Sequence, residues 1–373
     1  MKKNLQHLRT WIEIDAAAAR KNYAMFRSRI GKNVKLWAVV KSNAYGHGLS
    51  AFSEVMEAAG VDGFCVDSVV EGLALRRTGI KKHILVLGPT LPARFHEAAE
   101  NGIVVTVSTF DGLAALTKAK TVPDFHIKID TGMHRQGFYP EDVPKVLKLI
   151  SHPRKLKGIF THFASAKDTN YPGYTEMQFG KFQHTVALFK KAGFTNLTRH
   201  VAATGGTLCG KRYHLDAVRI GIGMYGLWPS KELEVQLGDK IKMHPVLSWR
   251  AAITETKRLR AGDYVGYDLT ERVPRETMMA VLPIGYWHGF PRALSSLGEV
   301  IIRGQRARVL GRVSMDMTVV AVSKSVRPGD VATLIGRDAK DEIFAWEPSQ
   351  KSGTTHYEFL TRLNPLMERI IID

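Results

Sequence analysis

Between about residues 36 and 221, short apolar runs alternate with longer stretches whose apolar residues recur at helical spacing. The runs are LWAVV (36–40), GFCV (63–66), HILVL (83–87), IVVTV (103–107), FHIKI (125–129), LKGIF (156–160), LTRHVA (197–202) and DAVRIG (216–221). Between them, AFSEVMEAAG sets Phe52, Val55, Met56 and Ala59 on one helical face, and EDVPKVLKLI does the same with Val143, Val146, Leu147 and Ile150. Strand and helix in alternation predict parallel βαβ units, and eight strands is the number that closes a barrel. After about Ser230 the long helical stretches stop. VLSWRAAITETKRL (246–259), TMMAVLPIGY (277–286), EVIIRGQRARVLG (299–311) and VVAVS (319–323) read as strands, with turn signals at Gly262-Asp263, Arg303-Gly304 and Gly329-Asp330. The expected fold is therefore α/β: an N-terminal (β/α)8 TIM-type barrel over 1–232, its first strand a candidate to join the other domain, then a mostly β domain over 233–373.

Composition narrows the class of function. A chain of 373 residues suits two domains, and 53 Lys and Arg against 35 Asp and Glu leave a net charge of +18. Such charge raises the question of nucleic acid, but no basic run is interleaved with aromatics, so neither nucleic acid nor a membrane is expected as a partner. A generally cationic surface that favours an anionic cofactor or substrate fits better. Cys65 and Cys209 are far apart, which gives no disulfide framework and no metal-ligand pair. A reducing cytoplasm is the expected location. The N-terminal MKKNLQHLRTWIEID lacks the apolar core of a signal peptide, and no apolar run reaches the roughly 18 residues of a membrane span.

In a barrel of this kind the chemistry belongs to the C-terminal strand ends. Lys41 follows the first run, and burial at a strand end disfavours an ammonium, which makes it a candidate Schiff-base nucleophile or simply a charge carried into water. Lys128 to Arg135 closes the fifth run, Thr161-His162 the sixth, Ala203-Thr204-Gly205-Gly206 follows the seventh, and Arg219 to Ile222 ends the eighth. Thr204, Gly221 and Ile222 are candidates for a phosphate site after the last two strands. Arg219 lies in an apolar run and must find an acceptor, whether a ligand or an ion-pair partner.

The segments WIEIDAAAARKNY, AVVKSNAYGHG, KIDTGMHRQGF, GIFTHFA, VRIGIGMYG, VGYDL, LPIGYWHGFPR, GRVSMDM and THYE occur in this order and together resemble the alanine racemase family of pyridoxal-phosphate enzymes. The resemblance spans nearly the whole chain. It implies a cytoplasmic homodimer with shared active sites that interconverts L- and D-alanine and supplies D-alanine for bacterial peptidoglycan. Pyridoxal 5'-phosphate is the implied cofactor, and no metal is implied. Lys41 would bind the cofactor and act as base on the D side, while Tyr267 of the other subunit would act on the L side. Tyr45 would contact the cofactor, with His162 beside it. Arg219 would bond the pyridine nitrogen, supported by His200, and Thr204, Gly221, Ile222 and Tyr357 would hold the phosphate. Arg135 and Met315 would bind the substrate carboxylate, Asp316 and Tyr286 would line the pocket, and Lys128 matches a lysine carbamylated in some relatives. The chain departs from the family pattern at Ala203, Ile220, His134, Ser314 and Trp287-His288, which leaves a racemase of serine or of a broader amino-acid range as the alternative.

Overall fold

The computed structural model describes residues 7–168, 170 and 172–373. Two compact units account for the chain. One comprises 18–44 and 52–244, the other 1–17, 45–51 and 245–373.

The first unit is the barrel. After β1 (Thr10–Asp15), which belongs to the second unit, come β2 (Lys35–Val39), β3 (Gly63–Val66), β4 (His83–Pro89), β5 (Ile103–Val107), β6 (Phe125–Lys128), β7 (Leu156–Phe160), β8 (Thr198–His200) and β9 (Ala217–Ile220). They pair in the order β8-β7-β6-β5-β4-β3-β2-β9, and every ladder is parallel. At the seam, Asp216 donates its backbone N–H to Arg199 O and Arg219 to Ala202 O, which ties β9 to β8. All eight apolar runs are thus barrel strands. Burial predominates in most of them and is complete over β3 and β5, as a sheet covered on both faces requires, while Lys157 of β7 is exposed and Thr198 and Arg199 of β8 are half-buried.

The second unit is mostly β. It holds β10 (Leu247–Ala252), β11 (Glu255–Leu259), β12 (Tyr264–Val265), β13 (Glu271–Arg272), β14 (Thr277–Leu282), β15 (Glu299–Ile302), β16 (Gln305–Leu310), β17 (Thr318–Val322), β18 (Val331–Asp338), β19 (Asp341–Ile343) and β20 (Glu368–Ile372). A ten-stranded sheet runs β11-β14-β17-β16-β15-β18-β10-β1-β20, with β19 paired to β18. β1 enters it between β10, antiparallel, and β20, parallel. The stretch read as one strand from 246 to 259 breaks at Ile253-Thr254. Ile253 donates its N–H to Asp330 O and Thr254 to Val281 O, so the chain changes partner there and two strands result.

Candidate active site

At the C-terminal rim of the barrel the backbone after β2 is strained. Ser42, Asn43, Ala44 and Tyr45 carry φ values of 56°, 54°, 51° and 53°, a left-handed turn built without glycine. Each such residue costs roughly 1–2 kcal/mol, so neighbours must hold the turn. Glu71 is one of them: its two carboxylate oxygens accept N–H from Ser42 and from Asp67, each at 2.7 Å. The turn presents Lys41, whose Nζ stands 3.7 Å from the Asp67 carboxylate.

Around the same rim, β7 and β9 deliver His162 and Arg219. The Arg219 guanidinium is 1% exposed. It donates to Thr161 O at 2.9 Å, Val201 O at 3.0 Å and His162 Nδ1 at 3.2 Å, and it also bonds His200 Nδ1. No carboxylate is among these partners, so the ion pair open to it in the sequence is not what holds it. Burial lowers its pKa to about 10, which leaves it cationic at neutral pH. The bond from Arg219 fixes His200 with Nδ1 as acceptor, and His200 Nε2 is then 2.9 Å from His126 Nδ1. Both imidazoles are held well below 6.5, by burial first and then by the charges around them.

Lys128, at the end of β6, is 5% exposed and donates to Gln136 Oε1 at 2.9 Å. Its pKa falls to about 8, through burial first and then through Arg135, Arg219 and Lys41. His162 is likewise driven well below its ordinary value by burial, then by Arg219, Lys128, Arg135 and Lys41. Five groups thus feel one another, four of them cations. The nearby acid Asp130 is already engaged: burial would raise its pKa, but N–H donors from His134, Gly132 and Arg135 outweigh that and lower it. Thr204 sits in the segment after β8, 3% exposed, and its Oγ1 accepts the Gly223 N–H at 3.3 Å. Gly221 and Ile222 open the turn after β9, accepting from Met224 and Tyr225.

The other predicted residues lie in the second unit. Tyr267 begins the short turn that connects β12 to β13 and is 68% exposed. Behind that hairpin Val265, Val273, Met279 and Leu310 form a small core. Tyr286 and Met315 meet because the Tyr286 N–H bonds Ser314 O at 3.1 Å and the Trp287 N–H bonds Met315 O at 3.0 Å, with Asp316 adjacent in the chain. Gly285 permits that approach, since a Cβ there would lie 2.1 Å from Ser314 O. Tyr45 and Tyr357 face each other with ring centroids 6.1 Å apart, and burial raises the Tyr357 phenol.

Sequence reasoning missed Phe160, Glu71 and His126. Phe160 stacks on His200 at 4.6 Å, with Arg219 5.3 Å and Lys128 5.6 Å from its ring centre. Its one signal was a position two residues before His162, on the inward side of a strand.

A parallel barrel with a lysine on a strained turn, a buried arginine and a cation-rich rim has the architecture of a barrel enzyme with a rim suited to an anionic group. The N-terminal domain model of alanine racemase matches residues 14–229 and the C-terminal domain model matches 246–371. An alanine racemase of Leptospira interrogans is 34% identical over 98% of this chain and 96% of its own length. The crystal structure of alanine racemase from Bacillus anthracis with bound L-Ala-P superposes with a TM-score of 0.94, at 34% identity over 98% of this chain and 96% of the other. A histidine racemase from Leuconostoc mesenteroides has the same fold, with a TM-score of 0.86 and 27% identity over 98% of this chain and 99% of the other. The chain belongs to the alanine racemase family and is a racemase.

Proposed function

We propose that the enzyme interconverts L- and D-alanine with pyridoxal 5'-phosphate as cofactor. The observation that carries this reading is the group formed by the cations Lys41, Lys128 and Arg219 with the neutral His162 around one spot, where Lys128 and Arg219 are buried and Lys41 is partly exposed. Its donor set fits the cofactor. Arg135 would receive the substrate carboxylate, and of the nearby acids Asp67 stands 3.7 Å from Lys41 while Asp130 is engaged by backbone N–H donors. When bound, the cofactor supplies an electron sink that makes the substrate α-proton removable.

The protein's own part is placement and proton transfer. Lys41 would hold the cofactor and then move a proton on the D face of the α-carbon. Tyr267, from a second copy of the chain, would do so on the L face. Arg219, buried and cationic, would donate to the pyridine nitrogen and so favour the unprotonated ring, which would limit side reactions such as transamination. Thr204, Gly221, Ile222 and Tyr357 would bind the phosphate, with Tyr45 on the cofactor. Arg135 and Met315 would bind the substrate carboxylate beside Tyr286 and Asp316. Lys128 deprotonates near pH 8 and so has a free amine available for carbamylation, after which it would orient Arg135. The product fits supply of D-alanine to peptidoglycan in a bacterial cytoplasm.

The histidine racemase of the same fold favours testing a second reading, a broader substrate range. Purified enzyme with cofactor is offered L-alanine, L-serine and L-histidine separately while each D-enantiomer is quantified. Alanine should turn over fastest, by at least about tenfold, a difference of about 1.4 kcal/mol. Comparable rates on all three would overturn alanine specificity while leaving racemisation intact.

A further inference from the structure

The pocket uses few of the chain's cations. In a (β/α)8 barrel the helices run back against the strands, so each helix end, the loop after it and the start of the next strand share one face. That face lies opposite the one that carries Lys41, His162 and Arg219. Four of these segments, 26–37, 74–85, 146–158 and 188–199, hold fifteen Lys and Arg and not one Asp or Glu. Helix dipoles favour a cation in a last turn. They do not account for the loops and strand starts that follow, where Lys32, Lys35, Lys81, Lys82, Arg154 and Lys155 continue the series.

Four acids answer part of the charge, and Glu57, beside Arg76, accepts the Lys81 backbone N–H at 3.1 Å. Asp62 pairs with Arg27 at 3.2 Å, Asp216 with Arg199 at 2.7 Å, and Asp124 is shared between Lys155 and Lys157 at 3.5 and 4.0 Å. Lys32, Lys35, Arg154, Lys190 and Lys191 are exposed, and among the described residues no ion pair reaches them. Strand order sets 146–158 beside 188–199, and only the lead into β9, which holds Asp216, stands between 188–199 and 26–37. Within this arc a cleft of about 520 Å³ opens between Lys35 and Lys190, bordered by Asn33 and Asn196. The connections are short, as from Lys191 to Thr198, so no long insertion rises over the cations.

The chemistry of the face selects its partner. Most of these cations are lysines, point charges suited to phosphate rather than to base edges. The aromatics of the four segments, Phe26, Trp37, Phe189 and Phe194, are buried or half-buried, so no stacking platform for nucleic-acid bases is exposed. We propose that this face docks the enzyme on an anionic phospholipid surface and leaves the catalytic face open.

The test is co-sedimentation of the full chain, loaded with pyridoxal phosphate, with vesicles of phosphatidylcholine alone or mixed with phosphatidylglycerol. Binding is expected only to the anionic vesicles, and roughly 0.5 M salt should abolish it. Lys32→Glu, Lys35→Glu, Lys190→Glu and Lys191→Glu together should weaken binding at least about tenfold with racemase activity kept. The same number of reversals at Lys257, Arg275, Lys324 and Lys340, in the other unit, should change it less than about twofold. Equal losses in both variants, equal binding to both vesicle types, or tighter binding of labelled duplex DNA than of anionic vesicles at the same salt would overturn the proposal.

Discussion

At the residue scale the distinctive feature is how much of the site depends on groups that never meet a ligand. Glu71 ties Ser42 and Asp67 with one oxygen each, so one side chain clamps the start of the strained turn behind Lys41. In Glu71→Gln one of those oxygens becomes an amide donor that faces a backbone donor, at a cost of about 1–3 kcal/mol. The variant should still bind pyridoxal phosphate, while kcat falls roughly tenfold or more. Steady-state kinetics beside cofactor titration checks this, and unchanged kcat would show that Lys41 does not need the clamp. The three buried histidines make a second residue-scale prediction. His126, His162 and His200 stay neutral in the fold well below 6.5, whereas in the unfolded chain they gain protons around that pH. Their contribution is complete above pH 6.5 and is lost as pH falls below it, by up to about 1.4 kcal/mol per unit for each. Urea midpoints should drop between pH 7 and pH 5. A flat profile would contradict the neutral column.

At the element scale, how legible each part was depended on whether its signal was local. The barrel strands were readable because burial on both faces writes short, mostly apolar runs, unbroken in LWAVV and interrupted by polar residues in LTRHVA. The break at Ile253-Thr254 was not, since a change of partner strand leaves no mark on propensity. In the site, Lys41, His162 and Arg219 stood out as polar residues at strand ends. Glu71, on the helix Val69–Arg77, did not, because a Ser-x-x-Glu sequence reads as an ordinary helix cap. Gly285 is a similar case: its φ of −160° is open to any residue, and only the nearness of Ser314 O and Met315 O requires glycine. Gly285→Ala should push the Tyr286 turn off the 314–317 loop and lower stability by about 2–4 kcal/mol. Thermal unfolding measures this, and an unshifted Tm would mean that the loop yields without cost.

At the scale of the whole molecule, two things outrun any local pattern. One is the distribution of charge. Read along the chain, the cations look scattered, and only the barrel's return geometry gathers four acid-free segments on one face. The other is the division of labour between units. Lys41 belongs to the barrel and Tyr267 to the β unit, on an exposed turn. If the second base comes from another copy, mixing inactive Lys41→Ala with inactive Tyr267→Ala chains should restore about a quarter of the activity, from the shared sites that keep both bases. No recovery after subunit exchange would contradict a shared site. The most direct measurement on the central claim remains the reaction itself. Purified enzyme with pyridoxal phosphate is incubated with L-alanine in D2O, and both enantiomers are followed by chiral chromatography and mass spectrometry. The expected result is an approach to equal D- and L-alanine with deuterium at the α-carbon, abolished in Lys41→Ala. Absence of D-alanine, or D-alanine formed equally well by Lys41→Ala, would contradict it.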